Sequence, residues 1–259
     1  MSFLEKACVQ ARRRVAEGYY DLEVEAVSVR RSLVEALDRS EISLICEVKF
    51  RSPTRGTIRE FHDPARIAEE MKRGGADAIS ILTDPDNFSG SIKHLIEVSS
   101  SIDLPALMKD FVVSELQLEA ARKAGASAAL LIYPIFARGY SELTLRDAID
   151  YAHGLGLEVL LEAYTLNDLM KALSSDADLI GVNSRDLDTL DLNLKRAYRL
   201  IGKIGNDERL VLESGITSAS EIIWFKEIGV TKFLIGTSIM NSNNIASKIR
   251  GLKEAGRSG

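Results

Sequence analysis

Two hydrophobic rhythms alternate along the chain. Short, almost uninterrupted apolar runs occur at ISLICEVK (42–49), DAISILT (77–83), PALMKDF (105–111), AALLIYP (128–134), LEVLLEA (157–163), DLIGVNS (178–184), RLVLESG (209–215) and KFLIGTS (232–238). Between them lie segments whose apolar residues recur at helical spacing: PARIAEEMKRGGA, SELQLEAARKAGA, LTLRDAIDYAHGLG, LNDLMKALSSDA, LNLKRAYRLIGKIG, SASEIIWFKEIGV and NNIASKIRGLKEAG. A run that is apolar on both faces is a strand buried on both faces, and such strands alternating with helices predict a parallel sheet covered by helices. Gly125, Gly156 and Gly229 stand where helix C-terminal caps are expected. Asp63 before Pro64 makes an N-cap with proline in the first turn. Eight repeats of this kind predict an α/β fold, a (β/α)8 TIM barrel, rather than an open doubly wound sheet. No GxGxxG follows the first run, so a dinucleotide-binding fold lacks its main signature. Residues 1–40 precede the first strand and read as an N-terminal helical extension of one or two helices, able to cap the barrel or help form its site. With no linker or low-complexity segment in view, residues 1–259 are expected to form a single domain.

Composition narrows the partners. The chain is 46% hydrophobic and 27% charged, with a net charge of −5 and a pI near 5.4. That balance advertises neither nucleic acid nor an anionic membrane as partner, and leaves room for a local basic pocket binding an anionic small molecule. The two cysteines, Cys8 and Cys46, form no CxxC pair, which argues against a disulfide framework or zinc ribbon and favours a reducing cytoplasm. Cys46, inside an apolar run, reads as a small core residue. His62, His94 and His153 are isolated, so no histidine-based metal site is expected. The N-terminus has no continuous apolar core of a secretory signal, and no window approaches the ~18 apolar residues of a membrane helix.

In a (β/α)8 barrel the chemistry sits at the C-terminal ends of the strands. Those ends carry Glu47 and Lys49, Lys109, Glu162, Asn183 and Arg185, Glu213 and Ser214, and then Ile235-Gly236-Thr237. Glu47 and Lys49 lie two apart and so face one way. Charges that leave water at one mouth must pair with each other or with a ligand. For one such residue a solvated strand end explains it as well; for the set, recurring strand after strand, a shared site explains more. Gly215 and Gly236, after the last two strands, would let backbone approach an anion, with Lys49 and Arg185 adding charge. Crowding of two lysines and desolvation is expected to lower the Lys109 pKa, fitting it to act as general acid opposite Glu162 as base. The same features leave a Schiff-base lysine open.

These strand-end blocks resemble the indole-3-glycerol-phosphate synthase family of tryptophan biosynthesis. The matching stretches are EVKFRSPTRG (47–56), SILTDPDNFSGS (80–91), LMKDFVV (107–113), VLLEA (159–163), IGVNSRDLDTLDLNL (180–194), ESGI (213–216) and FLIGTSIM (233–240). The resemblance implies a cofactor-free lyase reaction, with no metal. In it 1-(o-carboxyphenylamino)-1-deoxyribulose 5-phosphate closes a ring, loses CO2 and loses water. It implies Lys109 as general acid and Glu162 as general base, with Glu47 and Lys49 assisting dehydration and placing the substrate carboxylate. Asn183, Arg185, Glu213 and Ser214 would orient the sugar and support the lysines. Ser52, Gly215, Gly236 and Thr237 would surround the phosphate, and Phe88 and Phe111 would wall the aromatic ring. Phe50 departs from the family, standing where a basic residue is usual, and DPDNF and YPIFARGY are atypical loops. A Schiff-base aldolase or sugar-phosphate isomerase on the same barrel is the rival enzyme reading. A non-catalytic metabolite-binding barrel is the rival of another class, although it would be expected to have lost one of Lys109, Glu162 or Glu47.

Overall fold

Eight parallel strands follow one another around a closed barrel in chain order: β1 (Ser43–Val48), β2 (Ala78–Leu82), β3 (Ala106–Lys109), β4 (Ala128–Ile132), β5 (Glu158–Ala163), β6 (Leu179–Asn183), β7 (Leu210–Glu213) and β8 (Lys232–Ile235), which pairs back with β1. This computed structural model describes residues 1–23, 31–60 and 63–255; His62 lies outside them. Each predicted apolar run contains its strand. The predicted helices are present too, and Gly125, Gly156 and Gly229 take the positive φ that ends them. Asp63 caps its helix by accepting from the Ala65 amide at 2.9 Å.

Strand residues alternate between two cores, as the period of two requires. Ile45, Leu107, Leu130, Leu160, Leu179, Val211 and Leu234 fill the barrel interior. Leu44, Cys46, Met108, Leu131, Leu161, Leu212 and Phe233 face the surrounding helices. Cys46 is fully buried there, as expected of a small core residue. Burial pushes the Cys8 thiol up to about 12, so it stays protonated.

The sequence pattern missed one barrel helix, Ile92–Ser101. It ends in three serines, which favour caps over helix interiors, so its helical signal is confined to Ile92, Leu95, Ile96 and Val98. Also unforeseen is a two-stranded hairpin, Arg51–Ser52 with Gly56–Thr57, following β1. Phe50, just before it, is buried with its ring edge-on to His94 at 5.6 Å, which gives the atypical aromatic a packing role.

The N-terminal extension contributes two helices, one at each end of the barrel. Helix Phe3–Ala16 lies across the C-terminal mouth, its Phe3 and Leu4 amides donating to the carbonyls of Asp188 and Leu187 beyond β6. Helix Leu33–Asp38 closes the other end, where the Ser43 hydroxyl at the start of β1 donates to the Leu37 carbonyl.

Candidate active site

Inward-facing positions change character at the last or next-to-last residue of the strands. Ile45 is followed by Glu47, Leu107 by Lys109, Leu160 by Glu162 and Val211 by Glu213, so one side-chain period carries each strand from interior core to polar mouth. Strand register then sets the neighbours: Asn183 lies opposite Glu213, and Glu162 opposite Gly181. Gly181 leaves room for the Glu213 carboxyl, because a Cβ there would stand 2.1 Å from Glu213 Oε1 and force that side chain to move. Gly236 leaves room in the same way, a Cβ there falling 2.5 Å from Glu47 Oε1.

Lys109 Nζ donates to Glu213 Oε2 at 2.9 Å and to Glu162 Oε2 at 3.1 Å. Asn183 Nδ2 donates to Glu162 Oε1 at 2.9 Å, and Lys49 Nζ stands 2.7 Å from Glu47 Oε1. Glu47, Glu162 and Glu213 are buried, and Glu213 Oε1 has no hydrogen-bond partner. Burial pushes the Glu213 carboxyl up to about 8; Lys109 pulls against that and Glu162 adds to it. For Lys109 the expected direction is reversed. Burial alone would lower its pKa, but Glu213, Glu162 and Glu47 more than offset it and hold the ammonium above the ordinary lysine value. The expectation fails because it weighed desolvation and a second lysine and left out the three glutamates around Lys109.

These residues line one cavity of about 200 Å³. All the candidates named from the sequence, Ser52, Phe88, Phe111, Arg185, Ser214, Gly215 and Thr237 included, contribute to its wall. Phe88 and Phe111 stack with centroids 6.3 Å apart. Phe3 meets Phe111 edge-on at 6.0 Å, a third aromatic wall that only the placement of the N-terminal helix reveals. At the opposite side Ser214 and Gly215 adopt positive φ beyond β7, and the short helix Thr237–Met240 begins beyond β8. Arg55, on the hairpin after β1, lines the cavity and lies close enough to Arg185 to oppose its charge; sequence reading did not single it out. Arg185 is oriented by its own loop, its amide donating to Asn183 Oδ1 at 2.9 Å and its guanidinium to the Leu190 carbonyl at 2.6 Å. Among the described residues no group of three or more His, Cys, Asp or Glu is placed to hold a metal ion, and no helix is long and apolar enough to cross a membrane.

A barrel whose strand ends combine a paired lysine, buried glutamates and facing aromatic rings defines a class: acid–base enzymes working on an aromatic, anionic small molecule. Within it, this chain belongs to the indole-3-glycerol phosphate synthase family, whose sequence model matches residues 4–252. Relatives bearing that name include one from Rhodopirellula baltica, 36% identical over 97% of this chain and 99% of its own length. Another, from Campylobacter hominis, is 36% identical over 86% of this chain and 85% of its own length. Among solved structures, 3-hexulose-6-phosphate synthase (TM-score 0.62, 14% identity, 83% of this chain and 99% of that one) shares the fold. So does thiamine phosphate pyrophosphorylase from Pyrococcus furiosus (TM-score 0.60, 14% identity, 85% and 97%). At that identity the likeness speaks of architecture alone.

Proposed function

We propose that the chain performs the reaction its relatives are named for, converting 1-(o-carboxyphenylamino)-1-deoxyribulose 5-phosphate to indole-3-glycerol phosphate, CO2 and water. The observation that carries this reading is Lys109, an ammonium held between the buried side chains of Glu162 and Glu213 in an aromatic-walled cavity. Phe88 and Phe111 hold the carboxyphenyl ring. Ser52, Gly215, Gly236 and Thr237 surround the phosphate, using backbone N–H groups and the end of a short helix.

The ring carbon bearing the carboxylate attacks the sugar carbonyl. Lys109 gives its proton to the carbonyl oxygen as that oxygen becomes an alkoxide, a base strong enough to take it. Loss of CO2 then restores the aromatic ring. In the final step the new hydroxyl leaves as water after protonation, while a neighbouring carbon gives up a proton to a carboxylate. Glu162 is the base, oriented by Asn183, and the Glu47–Lys49 pair assists the departure of water and places the substrate carboxylate. Arg185, Glu213 and Ser214 orient the sugar and support Lys109. The carboxylates that keep Lys109 protonated argue against a Schiff base, since an amine nucleophile must be neutral. Two buried, unpaired thiols support a reducing compartment.

Indole fluorescence on mixing the protein with this substrate tests the reading. Wild type is expected to form product, and Lys109→Ala to slow it by about 100-fold or more. No product from folded wild type would overturn the assignment; product from both at equal rates would move the general acid, with Lys49 next in line.

A further inference from the structure

Behind the aromatic wall lies a second buried charge cluster that takes no part in the chemistry above. Arg14, on the helix across the mouth, has a side chain 4% exposed, yet it faces three carboxylates. Its Nη1 donates to Asp84 Oδ1 and its Nη2 to Asp110 Oδ1, both at 3.1 Å, and Nη1 also reaches Asp86. Its Nε donates to the Tyr20 hydroxyl, which in turn donates to Asp110 Oδ2 at 2.8 Å.

The two fully buried carboxylates belong to two different strand-end loops. Asp84, beyond β2, caps the short helix Pro85–Phe88 by accepting from the Asp86 amide at 2.8 Å, so it sets where Phe88 stands. Asp110 follows Lys109 directly and accepts from the Phe111 amide at 2.8 Å, so it sets where Phe111 and the end of β3 stand. One guanidinium fork therefore spans the gap between the two aromatic rings and the strand end bearing Lys109.

We propose that Arg14 is a positioning residue for the ring-closure step: by bridging Asp84 and Asp110 it fixes the spacing of Phe88 and Phe111 and the placement of Lys109. This rests on the reading given under Proposed function. Without Arg14, Asp84 and Asp110 would be like charges left buried together, and they would separate or share a proton. Burial and the nearby Asp110 already hold Asp84 above the usual carboxylate range, with Arg14 drawing it down. The other titratable groups facing this cluster are Arg13, which pairs with Asp86, and the hydroxyls of Tyr19 and Tyr20, both pushed up by burial; Thr83 Oγ1 also donates to Asp110 Oδ2 at 2.6 Å and Asn87 Nδ2 to Asp84 Oδ2 at 2.7 Å.

The test compares wild type, Arg14→Met, Arg14→Lys and the double variant Arg14→Met/Asp84→Asn in kcat, KM and pH profile, with circular dichroism reporting the fold. For Arg14→Met, kcat is expected to fall about 10- to 100-fold, the scale of an ångström-sized misplacement of reacting groups. The deficit relative to wild type should shrink as pH falls, because burial and the like charge beside it favour the protonated form of Asp84 once Arg14 is gone. The Asp84→Asn change should recover part of it at neutral pH. Arg14→Lys keeps the charge but loses the fork, and is expected to fold and lose about three- to tenfold in kcat. Unchanged kcat in Arg14→Lys, or an Arg14→Met deficit that is independent of pH and of Asp84→Asn, would overturn the proposal. Wild type alone forming no indole product would instead overturn the reading on which it rests.

Discussion

Glu213 stands at the centre of the site with one oxygen bonded to Lys109 and the other unpartnered. A carboxyl so placed favours its protonated form, and its pKa near 8 makes that a statement about stability. An unfolded glutamate ionises near its model value of 4.5, so between that pH and about 8 the folded chain binds the extra proton. Stability conferred by this group is therefore complete below pH 4.5 and is lost as pH rises to about 8. Glu213→Gln should flatten the decline of unfolding free energy across that window, gaining on wild type as pH rises. Urea denaturation at pH 5, 6, 7 and 8 measures it, and parallel curves for the two proteins would refute it. The neighbouring Gly181 makes a purely steric prediction. Gly181→Ala places a methyl against Glu213 Oε1, so the carboxylate must turn away from Lys109. We expect kcat to drop at least about tenfold while the protein stays folded, as measured by product formation beside a thermal melt.

At the scale of elements, the hairpin after β1 shows how a loop is given a fixed address. It carries Ser52 and Arg55 into the cavity, and Arg59 behind it donates to the carbonyls of Met240 at 2.8 Å and Ser242 at 2.6 Å. Those bonds clip the first strand-end loop to the last, across the seam where β8 meets β1. Charge-assisted hydrogen bonds of this kind contribute about 1.5–3 kcal/mol each, enough to decide whether a short hairpin stays docked. Arg59→Met is expected to raise KM several-fold, to alter kcat less, and to speed tryptic cleavage after Arg51 and Arg55. Limited proteolysis followed by mass analysis reads the last effect; an unaltered cleavage pattern would show that the hairpin is held by other contacts. This element was invisible in the sequence because its strands are only two residues long and mostly exposed, too short to display a period. The eight barrel strands were legible for the opposite reason: burial on both faces demands a run that no exposed segment needs. Most of the site was legible with them, since a polarity change at the last or next-to-last inward position of a strand marks the mouth. The partners were not. That Lys49 takes Glu47, leaving Lys109 to Glu162 and Glu213, depends on barrel curvature, and the sign of the Lys109 shift depends on the three glutamates around it. Arg14 was hidden too, because an arginine on a helix rich in arginine gives no sign of burial.

For the molecule as a whole, the two ends of the barrel divide stability from catalysis, and a single strand displays the division. β5 begins at Glu158 and carries Glu162 near its far end. Glu158 serves the closed end: its carboxylate accepts from the amides of Leu33 at 2.6 Å and Val34 at 3.1 Å and from the Ser32 hydroxyl, holding the N-terminus of the helix that seals the barrel. Losing it leaves the first two amides of that helix, Leu33 and Val34, without their acceptor, at a cost of about 1–3 kcal/mol, while Ser32 still caps Glu35. Glu162 serves the open end, where it adds to the charge repulsion on Glu213 while holding Lys109. Replacing it by glutamine relieves that repulsion, so stability should stay within about 1 kcal/mol of wild type, as for other charges kept for activity at a cost to the fold. Catalysis should fall by about 100-fold or more, because a proposed base is gone. Glu158→Ala and Glu162→Gln, four residues apart on one strand, should therefore give opposite signatures: a shifted urea midpoint with wild-type kcat in the first, a near-native midpoint with collapsed kcat in the second. A proportional loss of both quantities in either variant would mean that the two ends are coupled through the barrel, and that catalysis depends on the rigidity of the whole sheet rather than on the groups at its mouth.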